Sequence, residues 1–383
     1  AEVLPSRLEK PLVYAVIWTV GAGLSQEGRV IFDAKLRDIE SLFPFVGSVF
    51  DYGLSVEKNE FFAWEERLSV APAQWRPPER ARFDEFFVET VEVARFRAVA
   101  AYLLEAGEPL LVVGAPGVGK STIMRAILKA ADESGGSYGV VTLSASTSSA
   151  ALQEQVEAKL SRKNRKKLRP LVGTRAILFL DDVALPRLDE FGYVPALELL
   201  RQALEFGGWF DRQALDIFIE QKDIFYVGAM RDSQTLPPRL ANKFFALGLP
   251  FPNDASLARI FGSILHFGLA DFDPEEVKPL SDRALSFVIG LHKNALAEPR
   301  LQATPSKPHY LFSLRDIARV VKGVLLIDKL NCDSKSVFRK LLVHEVVCVY
   351  QDRLVSAEDR TVFRSVLSDQ FYASFEVPLN DAL

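Results

Sequence analysis

The stretch at residues 109–130, PLLVVGAPGVGKSTIMRAILKA, decides the reading of the chain, because an apolar run, a glycine-rich segment and a helical pattern follow one another without a break. Its middle, GAPGVGKS, matches G-x-x-x-x-G-K-[ST] in full, at Gly114, Gly119, Lys120 and Ser121. On average residue frequencies such a match arises by chance in about one chain in a hundred of this length. Glycines let the backbone curl so that successive N–H groups point inward at an anion. The helix that follows adds about half a positive charge at its N-terminus. Residues Gly114, Ala115, Pro116, Gly117, Val118, Gly119, Lys120, Ser121 and Thr122 are therefore the candidate phosphate cradle. Lys120 is placed at the β and γ phosphates and Ser121 on Mg²⁺. The competing reading is an ordinary glycine-rich turn from strand to helix.

Outward from this segment, short apolar runs alternate with helical ones. Strands are expected at 109–114, 138–144, 175–180 and 223–230. None alternates strictly, as befits strands buried on both faces of a parallel sheet. Helical stretches such as AALQEQVEAKL and PALELLRQALEFG lie between them, giving the βαβ rhythm of a doubly wound α/β domain. Upstream, Phe96, Val99, Ala100, Leu103 and Leu104 share one helix face, with Gly107 as its stop. From about residue 254 helical periodicity takes over, and SLRD at 313–316 carries a capping-box signature. Residues 72–82, with three prolines and four charged residues, read as an extended linker.

Composition sets the outer bounds. At 383 residues the chain exceeds one typical domain. It is 49% hydrophobic and 25% charged, with a net charge of −4, so it carries no overall pull toward nucleic acid or anionic membrane. Two cysteines, Cys332 and Cys348, and four histidines exclude a cysteine-rich zinc site. The apolar segment at 11–24 is too short to span a bilayer and is expected as a buried helix, since Glu2 and Glu9 spoil a basic leader. The chain opens on Ala1 without an initiator methionine and is expected to be part of something longer.

A nucleoside triphosphate site also needs a carboxylate on a neighbouring strand, and RAILFLDD supplies it 61 residues after Lys120. Asp181 is the metal-side acid. Asp182 stands where many AAA+ hydrolases carry a Glu that polarises the attacking water. One methylene shorter, it sets the carboxylate back, and a displacement of about 1 Å can slow a reaction about a hundredfold. Binding is then spared more than turnover. Alternatively, Asp182 only caps the next turn.

Longer stretches carry a family resemblance. FLDDVALPRLDEFGYVPALELLRQALEFGGWFDR at 179–212 and TPSKPHYLFSLRDIARVVKGVLL at 304–326 resemble segments of dynein heavy chains, and the doubled Asp with HYLFSLRD is similar to the axonemal, ciliary class. The resemblance runs almost end to end. It implies a slice of a motor ring: residues 1–75 as the helical end of the second AAA+ module with a linker, 76–265 as the α/β nucleotide-binding domain of the third, and 266–383 as its helical lid. It implies ATP or ADP with Mg²⁺, bound for regulation, and partners in the neighbouring modules and the other dynein subunits. The microtubule would be met only through parts outside this chain, in cytoplasm, cytoskeleton or axoneme. It also puts Val88 and Thr90 near adenine and makes Arg315 the lid arginine at the γ-phosphate.

Two departures from the family pattern weigh on that picture. Arg231 falls near the sensor position, where related modules carry Asn, and Asn242 stands where an arginine finger is expected. An arginine finger is worth roughly three to five orders of magnitude in other NTPases, an aid that a neighbouring module would lose here, and the expectation for this site, with Asp182 in place of Glu, is one that binds nucleotide as a latch and turns it over slowly or not at all. The basic run SRKNRKKLR at 161–169 supports an alternative, an AAA+ loader or helicase module acting on nucleic acid. It has no aromatic residue for base stacking and is expected as a solvated loop.

Overall fold

The computed structural model describes residues 3–39, 43, 46–55, 57–68, 71–133, 135–164, 166–270, 272, 277–328, 331–332 and 334–382. They divide into two compact units, one made of residues 1–67 and 91–251, the other of 68–90 and 252–383.

The first unit opens with α1 (Val3–Val20) and α2 (Gln26–Ile39), then an antiparallel hairpin of β1 (Tyr52–Ser55) and β2 (Glu60–Ala63). That hairpin interrupts a region expected to be helical. The segment expected as a buried helix is helical, but it buries one side only: Val13, Ile17 and Trp18 are inside, whereas Leu12 is 66% and Val20 57% exposed. Among the described residues no helix is long and apolar enough to cross a membrane. Arg29 ties this part to the strands beyond it, donating through Nη2 to the carbonyls of Ala22 and Gly248, each at 2.8 Å.

The unit continues through α3 (Val91–Ala106), β3 (Leu110–Gly114), α4 (Lys120–Glu133), β4 (Ser137–Thr142) and α5 (Ser149–Glu157). Then come β5 (Leu160–Asn164), β6 (Lys167–Pro170), β7 (Ala176–Asp181), α6 (Pro195–Phe206), β8 (Gly208–Phe210), β9 (Phe218–Gln221), β10 (Ile224–Arg231), α7 (Pro238–Ala241) and β11 (Phe245–Gly248). Five strands form a parallel sheet in the order β11-β3-β10-β7-β4. The α/β reading holds: Ala176 to Leu180 are all buried, as a strand covered on both faces requires. Gly107 ends α3 at φ +80°, and Phe96, Val99, Ala100 and Leu104 form its buried face.

A second, four-stranded sheet has the order β5-β6-β9-β8. The basic run at 161–169, expected as a solvated loop, is the β5–β6 hairpin of this sheet, although Arg165 lies outside the described residues. Leu160 and Leu168 on the two strands are buried and hold the hairpin to the core. Arg162 pairs with Asp211 and Glu157, and Lys167 with Glu220 at 2.9 Å. Trp209 is fully buried and donates Nε1–H to Glu157 at 3.0 Å, a packing anchor with its polar edge satisfied.

The second unit is helical: α8 (Asp254–Gly268), α9 (Leu280–Ala297), α10 (Leu314–Val324), α11 (Lys335–Val346), a π-helical turn at Val347–Gln351, and α12 (Ala357–Phe375). Residues 72–82, expected as an extended linker, contain a 3₁₀ turn at Pro72–Gln74. Trp75 is buried in the helical core and donates Nε1–H to the Phe87 carbonyl at 3.0 Å. At the start of α10, Asp316 Oδ2 accepts the Ser313 N–H at 2.8 Å, the carboxylate half of the expected capping box.

Candidate functional site

The phosphate-loop residues sit at the carboxyl end of the parallel sheet, between β3 and α4, where open α/β sheets bind ligands. Gly117 and Gly119 adopt φ +77° and +89°, conformations that a residue with a Cβ resists. Gly114 is required for a different reason: a Cβ on it would lie 2.5 Å from the Leu249 carbonyl oxygen, just past β11. These constraints shape the amide-lined turn into which a phosphate chain fits.

Lys120 begins α4, and its Nζ donates to the Gly114 and Ala115 carbonyls at 2.7 and 2.8 Å. Two of the ammonium's three protons are engaged there and one remains for an anion. Burial pulls the Lys120 pKa below its usual value, Asp232, Asp182 and Asp181 push it back up, and Arg231 adds to the lowering. Ser121 Oγ donates to Asp181 Oδ1 at 3.0 Å, so the hydroxyl and the carboxylate at the end of β7 converge as Mg²⁺ ligation requires. The donor set is hard oxygen, which suits that ion.

Asp182 has φ +57°, in the left-handed region that Asp tolerates better than most side chains. Its backbone carbonyl, not its side chain, accepts the Leu185 N–H that closes the next turn, at 3.1 Å. The carboxylate remains near Lys120.

The structure thus brings together residues 114–122 and Asp181–Asp182 in the sheet unit. Val88, Thr90 and Arg315 are carried by the helical unit. Val88 is 7% exposed within the helical core and Thr90 is also buried, whereas Arg315 is exposed on the first turn of α10. Arg231 ends β10 in register with Gly114. Asn242 is exposed at the end of α7, Arg239 is exposed one turn earlier, and Lys243 reaches Glu205 at 3.6 Å. Two contributors were not foreseen. Asp232, whose N–H donates to the Gly114 carbonyl at 3.3 Å, brings a carboxylate to Lys120. Leu249 enforces Gly114. Asp232 lies two residues past the strand expected at 223–230, whereas Leu249 offers no local signal.

Among the described residues no three His, Cys, Asp or Glu side chains form a metal-holding group. His309 meets the Arg353 carbonyl at 3.1 Å, and Cys332 and Cys348 are unbridged.

Comparison with known proteins agrees with this geometry. Residues 75–252 match the P-loop containing dynein motor region, residues 1–66 the dynein heavy chain AAA lid domain, and residues 298–360 the dynein heavy chain ATPase lid domain. Dynein axonemal heavy chain 2 of Mus musculus is 33% identical over 381 residues, covering 98% of this chain and 8% of the relative. Dynein-1-beta heavy chain of the flagellar inner arm I1 complex of Chlamydomonas reinhardtii is 33% identical over 372 residues, covering 96% and 8%. Dynein axonemal heavy chain 6 of Homo sapiens is 30% identical over 378 residues, covering 96% and 9%. The chain therefore spans under a tenth of the length of these relatives. With three successive segments matching dynein models in order and a phosphate loop built at the sheet's edge, the chain belongs to the dynein heavy chain family.

Proposed function

We propose that the chain is a regulatory nucleotide-binding AAA+ module of a ciliary dynein heavy chain, the third of its ring preceded by the end of the second. It holds ATP or ADP with Mg²⁺ and hydrolyses it slowly or not at all. The observation that carries this reading is the Ser121–Asp181 hydrogen bond of 3.0 Å directly behind Lys120, a metal-and-phosphate arrangement built by β3, α4 and β7. Backbone N–H groups of residues 117–119 and the Lys120 ammonium neutralise the polyphosphate, and Ser121 with Asp181 orients the metal. When bound, Mg²⁺ supplies charge neutralisation at the phosphates.

Slow turnover is argued from two residues. Asp182 presents a shorter carboxylate than the Glu of active hydrolases, which slows this site, and Asn242 offers a neighbouring module no cation, which slows the neighbour's. The resemblance to dynein heavy chains gives Val88 and Thr90 the adenine side and Arg315 the γ-phosphate, with the adjoining modules of the ring as partners. The relatives' axonemal and flagellar names support a place in the axoneme, with other dynein subunits as partners and microtubule contact made by segments outside this chain. A nucleic-acid role is disfavoured because Arg162 and Lys167 of the basic hairpin are already paired with acids of their own sheet.

Calorimetric titration of the full chain with Mg·ATP and Mg·ADP tests the reading. Binding is expected for both and is lost in Lys120→Ala. A steady-state ATPase rate of ordinary magnitude that Lys120→Ala removes would contradict the latch.

A further inference from the structure

Arg29, on α2 in the sheet unit, is a buried cation to which the fold gives no carboxylate. The residue is 8% exposed. Its Nη2 donates to the Ala22 and Gly248 carbonyls, its guanidinium lies 5.2 Å from the centre of the Phe50 ring, and its buried Nε has no hydrogen-bond partner. Burial lowers its pKa to about 10 and the like charge of Arg95 adds to the lowering, so the group remains charged at neutral pH. The acids nearby act on Arg95 instead. Asp51 Oδ1 accepts from the Arg95 Nη1 at 3.2 Å, and Glu92 also raises the Arg95 pKa against the lowering by burial. Arg29 and Arg95 line one cavity of about 10 Å³, closed by Trp18, Phe96 and the end of β11 at Leu247 and Gly248, with Glu92 at its margin. That is about the room one water-sized particle takes.

We infer that this cavity is an anion site, which takes a single halide ion, chloride in ordinary solution, against the Arg29 Nε–H. The inference is independent of the nucleotide-binding reading. A buried charge left without a counter-charge is strongly destabilising, and an arginine does not shed its proton to escape that penalty. Two carbonyl dipoles and a ring face offset part of it, but they carry no net negative charge. A water molecule would fit the room without neutralising the guanidinium, and the Trp18, Phe96 and Leu247 walls offer it few partners. Room of that size suits a monatomic anion rather than a phosphate or sulfate. Because Arg29 already fastens α2 to the last residue of edge strand β11, an anion that matches its charge strengthens the seam between the first helices and the parallel sheet.

Two measurements on the full chain test the site. Crystals grown in sodium bromide are expected to show an anomalous bromine peak in the cavity, within hydrogen-bonding reach of Arg29 Nε. A water without anomalous signal there, or an empty cavity, overturns the inference. In urea denaturation at constant ionic strength, replacing gluconate by chloride is expected to stabilise the native chain. With chloride at ten times its dissociation constant, the ratio of folded to unfolded chain should rise about elevenfold. Arg29→Gln is expected to abolish that chloride dependence whatever the variant's own stability. A native chain indifferent to chloride, or a dependence that Arg29→Gln retains, overturns the site. A bromine peak without any chloride dependence in solution means binding at crystal concentration only, and overturns it too. If Arg29→Gln does not fold, the bromide map and the chloride dependence of the native chain decide.

Discussion

Gly114 and Asp182 show how single residues set the limits of the site. A methyl group at Gly114 meets a backbone oxygen at 2.5 Å, so strand β11 or the loop has to move. Gly114→Ala is expected to destabilise the chain by about 2 kcal/mol and to weaken nucleotide binding at the same time. Urea denaturation and calorimetry on one preparation check both. Asp182 holds φ +57°, where a longer side chain is strained by about 1 kcal/mol. Asp182→Glu advances the carboxylate by one methylene and is expected to raise ATP turnover up to about a hundredfold while lowering stability by that strain. Unchanged turnover in a folded variant removes reach as the cause of slow hydrolysis. The phosphate loop, Ser121 and Asp181 were legible in the sequence because each acts through its own residue type at a fixed spacing. Asp232 and Leu249 were not, because their effects on Lys120 and Gly114 exist only once the sheet places them there.

The elements that the sequence disclosed are those whose burial leaves a pattern. β3, β4, β7 and β10 lie within a residue or two of the expected runs, since each is a short, mostly apolar run between helical segments. β11 is four residues long, and β5 and β6 are rich in cations, so neither composition nor period distinguishes them from loops. Charged residues are in fact suited to such a hairpin, because β5 is an edge strand and cations there discourage pairing with other chains. The helical unit shows how an element is held by one buried charge. Asp316, 3% exposed in its side chain, caps α10 and is met by Arg353 just beyond the π-helical turn and by Arg319 at 3.3 Å. Arg353 also stacks over Phe312 at 5.1 Å. Arg353→Met keeps much of the packing but leaves Asp316 short of its main counter-charge. The expected loss is about 3 kcal/mol, near the lower end for a broken buried pair, read as a drop in denaturation midpoint. Arg319→Met, at a residue whose side chain is 64% exposed, is expected to cost under about 1 kcal/mol.

At the scale of the whole molecule, the two units are expected to respond differently to acid, and the cause is one histidine. His292 is 1% exposed in the helical core, with Nδ1 against the Tyr350 hydroxyl at 2.9 Å. Burial pushes its pKa down to about 4, the nearby Asp316 carboxylate opposing that and Arg353 reinforcing it. In an unfolded chain the same imidazole titrates near 6.5. Between those values the unfolded state binds a proton that the folded state refuses, so stability rises with pH there and falls on acidification. The contribution is intact above about pH 6.5, and at pH 5 roughly 2 kcal/mol of it is gone. The sheet unit contains no histidine, and its Asp211 is held down to about 2 chiefly by its hydrogen bond to Arg162 and stays ionised throughout this range. Thermal melts of the full chain at pH 7 and pH 5 are therefore expected to separate, the helical unit losing protection first by hydrogen exchange. His292→Gln, which replaces the titrating ring with a neutral amide, is expected to be less stable at pH 7 but to lose about 2 kcal/mol less between the two pH values than the native chain. An identical pH dependence in native and variant chains would assign the acid sensitivity to carboxylates elsewhere and leave His292 as packing alone.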